Sequence, residues 1–215
     1  MSETSVGSQG RSLRGSLTRT RLPHPNLEGN VTVERALRER RSVREFRKGE
    51  PLTLEEVSQL LWAAQGITRT DGGRTSPSAG ALYPLEISIV VGEVRDLSPG
   101  VYRYDPAGHD LQLFTEGDKR RRLSEGAIDQ SAIKDAPLVI VVSAVYERTT
   151  TKYGARGVRY VHFEVGHAAQ NVCLQAVSLG LGAAVIGAFS DEEVKRVLGS
   201  PGSEEVLYLV PVGRK

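Results

Sequence analysis

Ser76-Pro77-Ser78-Ala79-Gly80-Ala81-Leu82-Tyr83-Pro84-Leu85-Glu86-Ile87-Ser88-Ile89-Val90-Val91 runs from a loop of small residues directly into a strand. The first six side chains are small enough to let backbone amides approach a planar or polar guest. Five of the last seven are apolar and four of those are β-branched, as a strand requires. By itself Ser76–Ala81 reads as a flexible turn ahead of that strand, with ligand contact as the second reading.

Upstream, Thr53 and Glu56 form a capping box, followed by Val57, Leu60, Leu61 and Ala64 at helical spacing up to Gly66. Val33, Leu37, Arg40 and Arg44 also fall at helical intervals, so a short helix delivers arginines at or just beyond its C-terminal end. Residues 1–22, rich in Ser, Gly, Thr and Arg, show no apolar period and read as a basic N-terminal arm ending at Pro23-His24-Pro25. Residues 23–215 then make one domain.

Downstream, Val101–Tyr104 and Leu111–Phe114 alternate in polarity around Asp105-Pro106-Ala107-Gly108, which is hairpin chemistry. Short helical pieces are expected around 118–133. Pro137–Tyr146 is nearly all apolar and β-branched, the signature of a central strand covered on both faces. A long helix is expected from about Tyr160 to Leu179, buried on more than one face and suited to a dimer seam. Ala183–Phe189 reads as a strand, Ser190 with Glu193 as the cap of another helix, and Val206–Val212 as the last strand. Segregated helices and strands give an α+β class.

The 215 residues suit one compact domain, and 39% hydrophobic with 25% charged residues is an ordinary globular mixture. The net charge is +2, and no aromatic-rich basic face accompanies the arginines, so nucleic acid is not an expected partner. No run approaches the roughly 20 apolar residues of a membrane span, and no signal-peptide pattern opens the chain, so the expected location is the cytoplasm. Cys173 stands alone in an apolar stretch and reads as core. No repeat with a period of roughly 20–50 residues appears.

Arg40-Arg41-Ser42-Val43-Arg44 sets three guanidinium groups and a hydroxyl within one short segment, which matches phosphate oxygens in charge and geometry. The bland alternative is a solvated basic helix end. Ser131-Ala132-Ile133-Lys134 has the spacing of a penicillin-binding motif without its partner motifs. His162, Glu164 and His167 miss the shared helical face that a two-histidine zinc site needs, so no metal is expected. Neither a G-x-G-x-x-G nor a Walker loop is present.

Together these stretches resemble the nitroreductase superfamily, which carries an R-x-S-x-[RK] element near its start and a P-S-[SA] loop after the following helix. Leu61–Ile67, Pro77–Glu86, Tyr102–Asp105 and Lys152–Tyr160 resemble more specifically the SagB-type dehydrogenase or azoline oxidase-like branch. The resemblance runs from about Leu22 to the C-terminus and implies a mainly antiparallel sheet flanked by helices in an intertwined homodimer. Two molecules of flavin mononucleotide (FMN) would sit at the subunit interface. It implies that Arg40, Arg41, Ser42 and Arg44 hold the ribityl phosphate, with Arg214 as a final contact. Pro77, Ser78, Ala79 and Gly80 would reach the partner's flavin, and Ile186 and Gly187 would line the ring. Main-type nitroreductases often carry Asn where Ala81 stands, so one polar contact is lacking here.

The same resemblance makes Lys152 and Tyr153 the catalytic pair that azoline oxidases use to form aromatic azoles, because hydride removal leaves a proton for a base to take. The alternative is an exposed lysine in a polar loop. The expected function is FMN-dependent hydride transfer through flavin N5 in a ping-pong cycle, acting on an azoline-type small molecule or peptide. NAD(P)H-driven reduction of nitro compounds or quinones is the alternative, with NAD(P)H as candidate electron donor. A flavin-binding module without turnover is an alternative of another class, and it would have no use for Lys152-Tyr153.

Overall fold

The computed structural model describes residues 18–215. Its centre is a seven-stranded sheet in the order β1-β4-β3-β2-β5-β7-β6, with every neighbouring pair antiparallel. The strands are β1 (Arg19–Arg21), β2 (Leu85–Val91), β3 (Gly100–Asp105), β4 (Asp110–Glu116), β5 (Leu138–Ala144), β6 (Leu181–Ala183) and β7 (Glu205–Arg214). The helices are α1 (Val33–Glu39), α2 (Leu54–Gln65), α3 (Arg120–Gly126), α4 (Ser131–Asp135), α5 (Glu147–Tyr153), α6 (Arg156–Ser178) and α7 (Asp191–Leu198). This is the expected α+β arrangement, an antiparallel sheet flanked by helices.

All seven residues of β5 are buried, because helices cover both faces of the sheet. Leu138, Ile140 and Val142 point into a core shared with Leu60 and Leu61 of α2 and Val161, Val165 and Val172 of α6. Val139 and Val141 point the other way, among Leu123 of α3, Ile133 of α4 and Val194 and Leu198 of α7. Full burial of each such side chain contributes about 1.5–3 kcal/mol, which is why this run cannot be an edge strand.

Helix α2 begins as its sequence dictates. Thr53 Oγ1 accepts the Glu56 N–H at 3.3 Å, and Glu56 Oε2 accepts the Thr53 N–H at 2.9 Å. Ser190 is the N-cap of α7, but its side chain makes no cap bond, so the second expected capping box does not form.

Three boundaries differ from expectation. Residues 1–17 of the expected arm lie outside the described residues, while Arg19–Arg21 leave it and pair with β4. Arg19 bonds Asp110 at 2.8 Å and Asp105 at 3.2 Å, and Leu22 is buried, so long-range contacts hold what local composition leaves unspecified. The expected strand Ala183–Phe189 stops at Ala183, where the chain leaves the ladder and returns only for a bridge between Ile186 and Leu209. Helix α6 starts at Arg156, ahead of the expected Tyr160, because Gly157 packs on the Thr150 backbone. A Cβ at Gly157 would stand 2.9 Å from Thr150 Cα. Among the described residues no helix is long and apolar enough to cross a membrane.

Candidate functional site

The arginine segment lies beside the β6 edge. Arg40 is the C-cap of α1, and the chain then runs along β6, with Ser42 bridging Ala183 and the Val43 N–H bonding Ala183 O at 2.9 Å. Gly182 makes this approach possible, since a Cβ there would meet Val43 at 2.6 Å. Arg41 turns its guanidinium back to the carbonyls of Arg38 and Arg40, at 2.7 and 2.9 Å, where it closes the end of α1. Arg44 is exposed and Arg40 half-buried; neither has an ion-pair partner among the described residues. Arg40 stands near Cys173, whose thiol burial pushes up while the Arg40 charge acts in the opposite sense.

Arg214 reaches the same corner, because its carbonyl accepts the Arg47 N–H at 3.0 Å. Its guanidinium is already engaged, however, in a two-bond pair with Glu56 at 2.6 and 2.9 Å. Ile186 is buried and exchanges both backbone bonds with Leu209, at 2.9 Å each, which sets exposed Gly187 beside the Tyr208 ring.

The small-residue loop stands elsewhere, against α5 and α6. Ser78 precedes a single 3-10 turn over Ala79–Ala81 in which Gly80 has φ +65°. Ala81 and Tyr83 also have positive φ, at 55° and 46°, a conformation non-glycine residues keep only when their surroundings hold them. The holds are identifiable. The Ala79 N–H bonds Glu164 Oε1 at 2.9 Å, the Tyr83 N–H bonds Ser78 Oγ at 2.8 Å, and Arg148 donates to Tyr83 O at 3.1 Å. Glu164 is buried, and burial raises its carboxyl pKa, with the Ala79 amide and the Ser78 hydroxyl partly offsetting it.

Lys152 and Tyr153 close the C-terminal end of α5, on a helix where the bland reading expected a loop. They meet the loop at Gly80, where a Cβ would lie 2.7 Å from Tyr153 Oη and 3.0 Å from Lys152 Nζ. Tyr153 is braced edge-on by Tyr160, with ring centroids 5.1 Å apart, and Lys152 is exposed.

One chain therefore holds two groups. Arg40–Arg44, Arg214 and Ile186-Gly187 share the β6–β7 edge, and Pro77–Gly80 shares the α5–α6 corner with Lys152-Tyr153. Along α6 the markers of the two groups, Glu164 and Cys173, are separated by nine residues, roughly 14 Å of helix. Sequence reasoning passed over Glu164 as a loop anchor and Arg148 as the brace of Tyr83. The usable signal for Arg148 was its position one helical turn before Lys152. No group of His, Cys, Asp and Glu side chains suited to a metal occurs among the described residues.

Comparison with known proteins adds four findings. Residues 37–214 match the model of the nitroreductase family. The chain is 48% identical over 191 residues to MJ1384 of Methanocaldococcus jannaschii, named as a nitroreductase, covering 89% of this chain and 94% of that one. A crystal structure from Ralstonia eutropha, likewise named as a nitroreductase, superposes with a TM-score of 0.80 at 31% identity, over 91% of this chain and 89% of that one. The microcin B17-processing protein McbC of Escherichia coli is 29% identical over 157 residues, 68% of this chain but only 56% of McbC.

Proposed function

The chain belongs to the nitroreductase family, and we propose that it is an FMN-dependent oxidoreductase that dehydrogenates azoline-type substrates as a homodimer. The observation that carries this reading is the convergence on Gly80: an open backbone turn with an amine and a phenol both aimed at the space a side chain would fill. The site needs a glycine there, because any larger residue would displace the pair.

The residues fit a phosphate-bearing flavin. Arg40 and Arg44 have no ion-pair partner among the described residues, and Ser42 adds a hydroxyl between them. Arg214 adds positive charge to the same corner, with Glu56 sharing its donors. Exposed Gly187 leaves backbone open to a flat ring. The two separated groups agree with a shared site in which the partner's Pro77–Gly80 loop completes the flavin pocket. The single chain also exposes Leu27 at 76%, Val33 at 65% and Phe163 at 55%, apolar area that a second copy would cover.

When bound, the flavin supplies a two-electron acceptor for hydride. This chain's residues handle the proton. Loss of hydride from one substrate carbon leaves a proton to be taken from the adjacent carbon, and Lys152 Nζ is the base that takes it. Tyr153 Oη, held by Tyr160, orients the substrate by donating a hydrogen bond to one of its heteroatoms. Burial in the dimer would strip water from Lys152, which is exposed in the single chain. The resemblance to McbC, a microcin-processing protein, agrees with a peptide substrate.

Two observations favour NAD(P)H-driven reduction instead: Lys152 is exposed, and the relative at 48% identity is named as a nitroreductase. An absorbance spectrum followed by anaerobic NADH and NADPH separates the readings. A yellow protein bleached by either nucleotide supports the reductase. One that stays yellow until an azoline peptide is added supports the dehydrogenase, and a colourless protein that cannot be reconstituted with FMN refutes both.

A further inference from the structure

A second concavity, about 300 Å³, opens between β2, β3, the segment after α2 and the start of α5. Four arginines line it, Arg19, Arg74, Arg103 and Arg148, with Glu86 and Asp105 as the lining carboxylates. Three of the four have acidic partners. Arg19 pairs with Asp105 and Asp110, and Arg103 grips Glu204 through two bonds of 2.9 and 2.7 Å and reaches Glu86 at 3.1 Å. Arg148 pairs with Glu86.

Arg74 has none. Its guanidinium bonds the neutral Gln65 side chain at 2.9 Å and lies 4.3 Å from the Tyr83 ring centroid. It is half-buried, and burial lowers its pKa, with Tyr83 and Glu86 nearby acting in the opposite sense. The Nε donors of both Arg74 and Arg103 are buried without an acceptor, although buried donors in folded proteins nearly always find one. What Arg74 lacks is a direct anionic partner: Glu86 acts on it from a distance but is bonded to Arg103 and Arg148.

We infer that the cavity binds a carboxylate, gripped by Arg74 with Arg148 at its rim. Glu86 and Asp105 on its wall disfavour a dianion such as phosphate, and of the four arginines only Arg74 lacks a direct ion-pair partner among the described residues. The volume is at the small end for a ligand site, enough for the acidic end of a larger molecule.

The position of the cavity indicates whose carboxylate it is. Arg148 lies one helical turn before Lys152 on α5 and bonds the carbonyl of Tyr83, three residues after Gly80. Through Arg148 the rim of the cavity adjoins the Gly80–Tyr153 corner, so the substrate class is one that carries a carboxylate. This assignment of the carboxylate to the substrate rests on the proposed function, whereas the binding site itself does not.

The test uses the full chain at low ionic strength, titrated calorimetrically with sodium benzoate and, separately, with benzamide. Benzoate is expected to bind and benzamide not. Arg74→Gln should weaken benzoate roughly ten- to a hundredfold, the range of a lost charge-assisted pair. Arg74→Lys, which keeps the charge but not the fork, should fall between, and it carries the test if Arg74→Gln does not fold. Equal binding of benzoate and benzamide, or benzoate affinity indifferent to Arg74, overturns the inference. A colourless protein that cannot be reconstituted with FMN yet binds benzoate through Arg74 keeps the site and refutes the flavin reading. A yellow protein with no Arg74-dependent benzoate binding does the reverse.

Discussion

Glu164, buried midway along the first half of α6, accepts the backbone N–H of Ala79 at 2.9 Å and so ties the small-residue loop to the longest helix of the fold. Burial raises its pKa above the ordinary 4.5. A carboxyl with a raised folded-state pKa stabilises the fold fully below its unfolded value and loses that contribution as pH rises through the folded one. Glu164→Gln, neutral at every pH and still an acceptor, should therefore be more stable than the wild type at pH 7, with the difference vanishing below 4.5. Glu164→Ala should instead lose about 1–3 kcal/mol by orphaning the Ala79 amide. Urea unfolding across pH measures both, and a Gln variant less stable than wild type at pH 7 would count against the assignment.

His109 should make stability pH-dependent in the opposite sense. Its Nδ1 lies 2.9 Å from Tyr104 Oη, and its Nε2 lies 3.0 Å from Pro23 O and 2.7 Å from Ser58 Oγ. Pro23 O only accepts, so Nε2 carries the proton and Nδ1 accepts from the Tyr104 phenol, whose own pKa burial raises. Protonating Nδ1 would leave the buried Tyr104 O–H without an acceptor, at a cost of about 1–3 kcal/mol. Burial accordingly lowers the His109 pKa below 6.5. Stability should be full above 6.5, fall as pH drops from there through the folded value, and then level off. Thermal midpoints should trace this fall, and His109→Gln should remove it. Hydrogen exchange at Leu22, whose N–H bonds His109 O at 3.1 Å, should quicken over the same interval.

The arginines near β6 should divide by their partners. Arg40→Ala with Arg44→Ala removes charges that have no acidic partner, so stability should move by less than about 0.5 kcal/mol. FMN affinity should fall tenfold or more, since each charge-assisted bond contributes about 1.5–3 kcal/mol. Arg214→Ala leaves the mostly buried Glu56 carboxylate unpaired and should lower stability by about 1–3 kcal/mol as well. Fluorescence titration with FMN and denaturant unfolding read the two quantities independently. Unchanged FMN affinity in the double variant would remove the phosphate assignment.

What the sequence made legible follows the range of the forces involved. The cap of α2 lies within four residues, and β5 announces itself by an unbroken β-branched run, so both are readable locally. Strand β1 is three residues whose place depends on Asp105 and Asp110, far along the chain, and no local period encodes it. The same holds for the site. Arg40–Arg44 and Lys152-Tyr153 form compact motifs, whereas the Arg103–Glu204 pair joins residues 101 positions apart. Arg74 becomes noticeable only because its bonded partner is the neutral Gln65 rather than a carboxylate. The end of β6 misled because apolar residues mark burial, and burial beside a sheet does not require membership in its ladder.

Gly80 gives a test of the convergence that carries the functional reading. Its φ of +65° costs an alanine about 1–2 kcal/mol, and the new methyl would lie 2.7 Å from Tyr153 Oη and 3.0 Å from Lys152 Nζ. Both groups end flexible side chains, so the fold should survive while they are pushed aside. Gly80→Ala should keep its FMN and lose most turnover of an azoline peptide, falling toward the rate of Lys152→Ala. The double variant should then be little worse than either single one, because the same step has already been lost. If Gly80→Ala turns over at the wild-type rate while Lys152→Ala does not, the lysine acts without contact with this loop. If neither variant slows an azoline peptide, the pair has no part in the reaction, and the NAD(P)H-driven reductase becomes the better account.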